Sequence, residues 1–295
     1  MRVLAFDMGA TRLKASMVED GQVGAVTTRP SRDLSGSAVM DLLVATATEL
    51  AASGDVDAVG VAVPGIVDGG TVISLAGKFD GLVGADLAGT VTSAVGAPTI
   101  VVNDAIAAAV GEAVAGAGVG HQRVVMVTIG TGVGTAVVED GRPLGAGPWG
   151  GGLMGGQIPI GDGSSGPVDT SGRHGTIEAL CAADRLLDAE LGLTSVPDLL
   201  AAWERREIGA VAVVASYRRS LELALVALAQ AHAPSVIVVG GGPLSTAAGW
   251  LLDGMTEAVS SRLCPGTTSS SCPRRWVTPP RWPGSPHSPL AADSS

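Results

Sequence analysis

Cysteine is scarce in this chain: Cys181, Cys264 and Cys272 are the only three among 295 residues. They make neither a disulfide framework nor a metal-ligand set, so a reducing cytoplasm is the expected compartment. Basic residues are also few, 18 Lys and Arg against 28 Asp and Glu, for a net charge of -10. That argues against nucleic acid as the main partner, because neutralising phosphates takes clustered Lys and Arg. Long apolar runs are missing. None reaches the ~18–20 residues that span a bilayer, and Asp7 interrupts the first one at once, so neither a membrane span nor a signal peptide is expected. No strict third-position glycine repeat occurs, which excludes collagen.

What is present is a globular composition. Hydrophobic residues make up 46% and charged residues 16%, with mean hydropathy +0.40, so wholesale disorder is excluded. The length suits two domains or one large one. Glycine is the outlier at 43 residues, about double the ~7% average usage, and it clusters between apolar segments, where tight turns or ligand-binding loops are expected.

The patterning predicts strands at 2–6 and 12–18, a helix at 37–52 on the stripe Val39, Leu42, Leu43, Thr46 and Leu50, and strands at 57–63 and 98–102. An Ala-rich helix is expected at 105–116. The pattern then restarts, with strands at 123–129 and 135–139 around Gly130-Thr131-Gly132-Val133-Gly134. Residues 145–172 read as loop, 177–191, 196–204 and 208–232 as helices, and 235–239 as a strand entering Gly240-Gly241-Gly242. A strand–glycine turn–strand unit therefore occurs twice. From Cys264 to Ser295 apolar periodicity stops and Pro and Ser dominate. This tail is expected to be disordered; a shifted reading frame is the sharper alternative, tested by translating the −1 and +1 frames for an apolar helix.

Asp7-Met8-Gly9-Ala10-Thr11-Arg12-Leu13-Lys14 suits a phosphate site. Gly9 lets backbone N–H groups approach phosphate oxygens, Thr11 adds a hydroxyl, and Asp7 can hold a hydrated Mg²⁺. An ordinary Asp-Gly hairpin turn explains the same residues. The glycines of 130–134 are not a dinucleotide fingerprint, because they lead into the β pattern Thr135-Ala136-Val137-Val138, and they lack the Gly-Lys-Ser/Thr of a P-loop.

Two glycine hairpins on two similar halves resemble the actin-like ATPase superfamily of sugar kinases. Val63-Pro64-Gly65-Ile66-Val67-Asp68, Asn103-Asp104-Ala105 with Ala108 and Glu112, and Val239-Gly240-Gly241-Gly242 narrow the resemblance to the ROK family (repressors, open reading frames and kinases), from residue 2 to about 263. That resemblance implies an α/β fold of two ribonuclease-H-like domains with a cleft between them, one at 1–116 and one at 117–263. It implies ATP and Mg²⁺ as cofactors. Asp7, Gly9, Thr11 and Lys14 would form phosphate loop 1, with Asp7 orienting Mg²⁺ through water. Gly130, Thr131 and Gly132 would form phosphate loop 2, and Gly240, Gly241 and Gly242 would line the adenosine pocket. Asp104 would be the catalytic base, with Gly65, Asn103, Asp104, Gln157 and Glu178 on the substrate. For Asn103-Asp104 and for Glu178, plain helix-end roles compete with these.

The pattern also breaks. The family's Gly-Glu-x-Gly-His segment reads Trp149 to Ile160 here, with Gln157 at the Glu and Ile160 at the His. Its zinc-binding cysteine cluster falls on Asp169 to Ala179, which holds no cysteine and only His174 as a candidate ligand, so no zinc is expected. Ser74 to Asp80 lacks the family's substrate-binding Asn. Altered polar contacts change which polyol fits, so the expected acceptor is a sugar or a sugar-like cyclitol rather than plain glucose. A catalytically silent sugar-binding regulator is the competing reading. Repressor members carry an N-terminal helix-turn-helix, whereas the phosphate strand starts here at residue 2. The resemblance further implies a homodimer through the 177–232 helices, and a C-terminal helix on the N-terminal domain whose replacement by the Pro-rich tail would leave apolar surface bare.

Overall fold

The computed structural model describes residues 1–74, 79, 81–145, 155–242 and 250–263, and the backbone of 275–277. They divide into two compact units. Met1–Ala108 forms the bulk of the first; the second takes in Ala109–Pro143 and the described residues from Gly155 onward.

The first unit runs β1 (Arg2–Met8), β2 (Arg12–Glu19), β3 (Gln22–Val23), β4 (Thr27–Pro30), α1 (Gly36–Ala51), β5 (Ala58–Val63), β6 (Ile66–Asp68), β7 (Thr71–Ser74), α2 (Leu87–Val95) and β8 (Thr99–Asn103), and ends in α3 (Asp104–Ala115), within which the division falls. Its sheet has the order β3-β2-β1-β5-β8, with β4 also on β2. β1 and β2 are antiparallel; β5 and β8 lie parallel to β1. Strict alternation in β1 and β5 sends Leu4, Phe6, Met8, Val59, Val61 and Val63 to one face, where they meet Val39, Leu43 and Ala47 of α1. Each fully buried Leu or Val contributes about 1.5–3 kcal/mol there. α1 starts where Ser35 caps the Ala38 N–H, and α2 ends at Gly96 in the left-handed region. The opposite face holds Val3, Ala5, Ala58, Gly60 and Ala62, none fully buried, and Ile100 at 67% exposure.

The second unit repeats the plan. β9 (Arg123–Ile129), β10 (Val133–Glu139), β11 (Arg142–Pro143), β12 (Val236–Gly240) and β13 (Arg275–Val277) lie in the order β11-β10-β9-β12-β13, with the same antiparallel hairpin and parallel partners. The strand–glycine turn–strand unit that occurs twice in the sequence thus sits in matching strand orders in the two units. Here both faces of the central strands are buried, so β9 and β12 read as continuous apolar runs rather than alternating ones. α4 (Ile177–Cys181), α5 (Val196–Glu204), α6 (Ile208–His232) and α7 (Met255–Leu263) complete it.

Two sequence expectations need correction. The helix expected at 177–191 ends at Cys181. Ala182 turns to ψ 155°, which lets the Ala183 N–H reach Gly130 O at 2.8 Å, while the Tyr217 hydroxyl takes Cys181 O at 2.8 Å. A short 3₁₀ turn (Ala183–Leu186) follows. The stretch from 264 read as a disordered tail includes β13, which pairs in parallel with β12 along Val236, Ile237 and Val238; the rest of that tail lies outside the described residues.

Candidate functional site

In the first unit the turn between β1 and β2 is held tightly. Gly9 N–H bonds to Arg12 O at 3.0 Å, and Asp7 faces Lys14 across the hairpin with Lys14 Nζ 2.9 Å from Asp7 Oδ2. Both side chains of that pair are about half exposed (49% and 52%), so the ion pair adds little stability and leaves the carboxylate open to water. Ser31, absent from the sequence expectations, is fully buried; its hydroxyl donates to Gly9 O at 2.8 Å and its N–H to Thr11 O at 3.1 Å. No pattern around Pro30 advertised that role. A surface concavity of about 660 Å³ opens here, lined by Gly9, Thr11, Arg12, Lys14, Thr28 and Arg32. Three cations and two hydroxyls around an open glycine turn suit an anion such as phosphate.

At the other edge of the same sheet, and at the same strand end as the glycine turn, β8 runs directly into α3. Asn103 Oδ1 accepts from the N–H groups of Ala105 (2.9 Å) and Ile106 (3.2 Å), capping α3, while its Nδ2 donates to Gly65 O at 2.8 Å. Gly65 needs its φ of +87° to turn the chain there. Asp104 is exposed in the first turn of α3, with Oδ1 accepting the Ala105 N–H at 2.8 Å. Gly65, Asn103 and Asp104 are therefore brought together, and Asn103 takes the capping role that competed for the pair.

The second unit carries the other glycine hairpin. Gly130 N–H bonds Gly132 O at 2.9 Å, leaving the Thr131 side chain exposed at the tip. Gly241, at φ +124°, presses its Cα onto the Ile129 backbone, so Gly240 and Gly241 reach the base of that hairpin. Glu178 does more than favour a helix end. Its Oε2 accepts the Val133 N–H at 3.0 Å, and its Oε1 takes the N–H (2.8 Å) and hydroxyl (2.7 Å) of Thr170. A side chain at Gly132 would collide with this carboxylate. Thr135, buried in β10, accepts the Gly155 N–H at 2.9 Å and seats the 3₁₀ turn (Gly155–Gln157) that carries Gln157. Gln157 Nε2 in turn donates to Ser171 Oγ at 3.0 Å.

Asp169 has a role that the sequence expectations do not include, although Asp169-Thr170-Ser171-Gly172 is an Asx-turn composition that signals it. Burial pushes its carboxyl up, but the Arg173 and Ser171 N–H groups, the Thr176 hydroxyl and the Arg173 charge outweigh that and hold it below the ordinary range. His174 Nδ1 faces Pro167 O at 3.2 Å, burial pushes the Cys181 thiol up to about 12, and among the described residues no three His, Cys, Asp or Glu converge. The segments 146–154, with Trp149 to Met154, 75–78, Asp80 and 243–249 lie outside the described residues.

Residues 3–277 match the ROK family. The chain belongs to that family. The match runs fourteen residues past the point where the sequence resemblance stopped and takes in β13. The chain is 33% identical over 261 residues to the N-acetylmannosamine kinase of Shigella flexneri, covering 85% of this chain and 86% of that one. It superposes on the ROK hexokinase from Thermus thermophilus with TM-score 0.77 and 27% identity, over 94% of this chain and 92% of the other. A ROK family transcriptional regulator, a homologue of the E. coli MLC protein, gives TM-score 0.80 at 21% identity, over 95% of this chain and 74% of that one; this last likeness speaks to fold alone. Kinases and a regulator share this ROK fold, so the site must argue function. Among the described residues no helix is long and apolar enough to cross a membrane.

Proposed function

We propose that the chain is an ATP-dependent carbohydrate kinase that phosphorylates a hydroxyl of a sugar or sugar-like cyclitol. The observation that carries this is the repeated sheet with a glycine hairpin after its first strand in each unit: at Gly9–Thr11 and at Gly130–Gly132. Each hairpin would take part of the triphosphate, with Thr11, Lys14 and Thr131 as side-chain donors and Gly240, Gly241 and Gly242 beside the adenosine. Asp7, half exposed beside Lys14, fits a hydrated Mg²⁺, which supplies charge neutralisation at the phosphates when bound.

Asp104 is the general base. At the exposed head of α3 it can accept the proton of the acceptor hydroxyl as that oxygen attacks the γ-phosphoryl group and ADP leaves. Gly65 and Asn103 flank it, and Gln157 and Glu178 would supply further acceptor contacts. Because N-acetylmannosamine kinases are among the similar proteins, a hexosamine is the first acceptor to try. The competing reading, a silent sugar-binding regulator, draws support from the changed acceptor residues.

ADP release with Mg-ATP decides between them, measured on N-acetylmannosamine, N-acetylglucosamine, glucose, mannose and myo-inositol. Turnover on one acceptor, reduced roughly 10²–10⁴-fold by Asp104→Asn with ATP binding retained, is the expected outcome. A folded, ATP-binding protein silent on every acceptor would overturn the kinase reading in favour of the regulator.

A further inference from the structure

The second unit contains a hub around one buried carboxylate. The Asp169 side chain is wholly enclosed, at 0% exposure. Its Oδ1 accepts the N–H groups of Ser171 (2.8 Å) and Arg173 (3.0 Å). Its Oδ2 accepts the Thr176 hydroxyl at 3.1 Å and pairs with the Arg173 guanidinium at 3.4 Å. Main-chain bonds close the same turn, from Asp169 N to Arg173 O and from Gly172 N to Asp169 O, both 2.9 Å. An enclosed carboxylate is tolerated only when its lone pairs are met, and four donors meet them here. Thr176 extends the network, since its hydroxyl oxygen also caps α4 at the Ala179 N–H.

The turn reaches outward from this hub. Thr170 gives both its donors to Glu178, and Ser171 receives the amide of Gln157. Gln157 and Glu178 arrive from different elements, a 3₁₀ turn on β10 and the first turn of α4, and meet on one five-residue turn. Neither touches Asp169 itself; both depend on the turn that Asp169 folds.

We infer that Asp169 is a positioning residue for the acceptor side of the site, holding Thr170 and Ser171 so that the Glu178 carboxylate and Gln157 amide keep one fixed geometry. The role in acceptor binding rests on the kinase reading above; the hub itself rests on the hydrogen bonds. In the stretch where the family resemblance implied a metal cluster, a carboxylate does the holding.

The test compares the full chain with Asp169→Asn, which keeps the shape and removes the charge, and with Thr170→Val, which leaves the hub and removes the hydroxyl bond to Glu178. Two quantities are read: KM for ATP and for the acceptor the wild type turns over best, and amide hydrogen exchange by peptide. Asp169→Asn is expected to raise acceptor KM at least tenfold with KM for ATP within twofold. Exchange across 169–179 should rise while that of β9 and β10 stays put. Thr170→Val is expected to raise acceptor KM by a smaller factor without loosening 169–179. A loosened turn with unchanged acceptor KM would overturn the positioning role, as would an equal rise in both KM values. Should Asp169→Asn fail to fold, an acceptor KM unmoved by Thr170→Val overturns it instead. Wild-type chain without turnover on any acceptor overturns the kinase reading, so the two failures are read from different proteins.

Discussion

At Gly241 two constraints coincide: a φ of +124° that L side chains rarely adopt, and a Cα packed on the Ile129 backbone. Gly241→Ala therefore meets both backbone strain and overpacking and is expected to cost about 3 kcal/mol or more. Urea unfolding checks it; a loss below ~1 kcal/mol would mean that β12 can shift away from β9. At Asp169 the folded-state carboxyl lies below its ordinary value, so it stabilises the fold above the unfolded pKa near 3.9. That contribution fades as pH falls through the lowered folded value. The stability gap between wild type and Asp169→Asn should be full at pH 6–7 and shrink steadily below about pH 4, as followed by thermal melts across pH.

Elements position the site through single side chains more than through their own length. β4 matters because Ser31, just past its end, locks both sides of the first glycine turn. Ser31→Ala leaves Gly9 O without its donor in a buried setting. It is expected to cost about 1–2 kcal/mol and to raise KM for ATP several-fold, with acceptor KM unmoved. Steady-state kinetics in both substrates settle the split; an equal change in both would assign Ser31 to general stability. α4 makes the same point from the other side: it stops after Cys181 because Ala183 is needed to bond Gly130 at the base of the second hairpin.

At the scale of the whole molecule, the large sheets of the two units share one strand order and differ in cover. The second buries β12 completely between β9 and β13, while the first leaves Ile100 at 67% exposure on its outer face. Removing residues 264–295 deletes β13 and opens the edge of β12 along Val236–Val238, which are buried to within 1%. The truncated chain is expected to melt about 4 °C or more below the full one, taking 1 kcal/mol as roughly 2–4 °C at this size. Coincident melts would show that the strand adds nothing to the fold.

Local chemistry made much of this protein legible in its sequence. The 25-residue α6 falls on the residues its pattern predicts, the strands lie where apolar runs meet glycine turns, and Asn103 opens α3 as a helix cap. Such features depend on neighbours a few positions away, or on turns only glycine can make. Other features have causes distant in sequence. Ala183 answers to Gly130, Glu178 to Val133, Ser31 to Gly9, and β13 to β12. In each case a polar group or a strand edge is satisfied only across the folded chain. Helix propensity at 177–191 therefore yielded to a backbone hydrogen bond that no local pattern encodes.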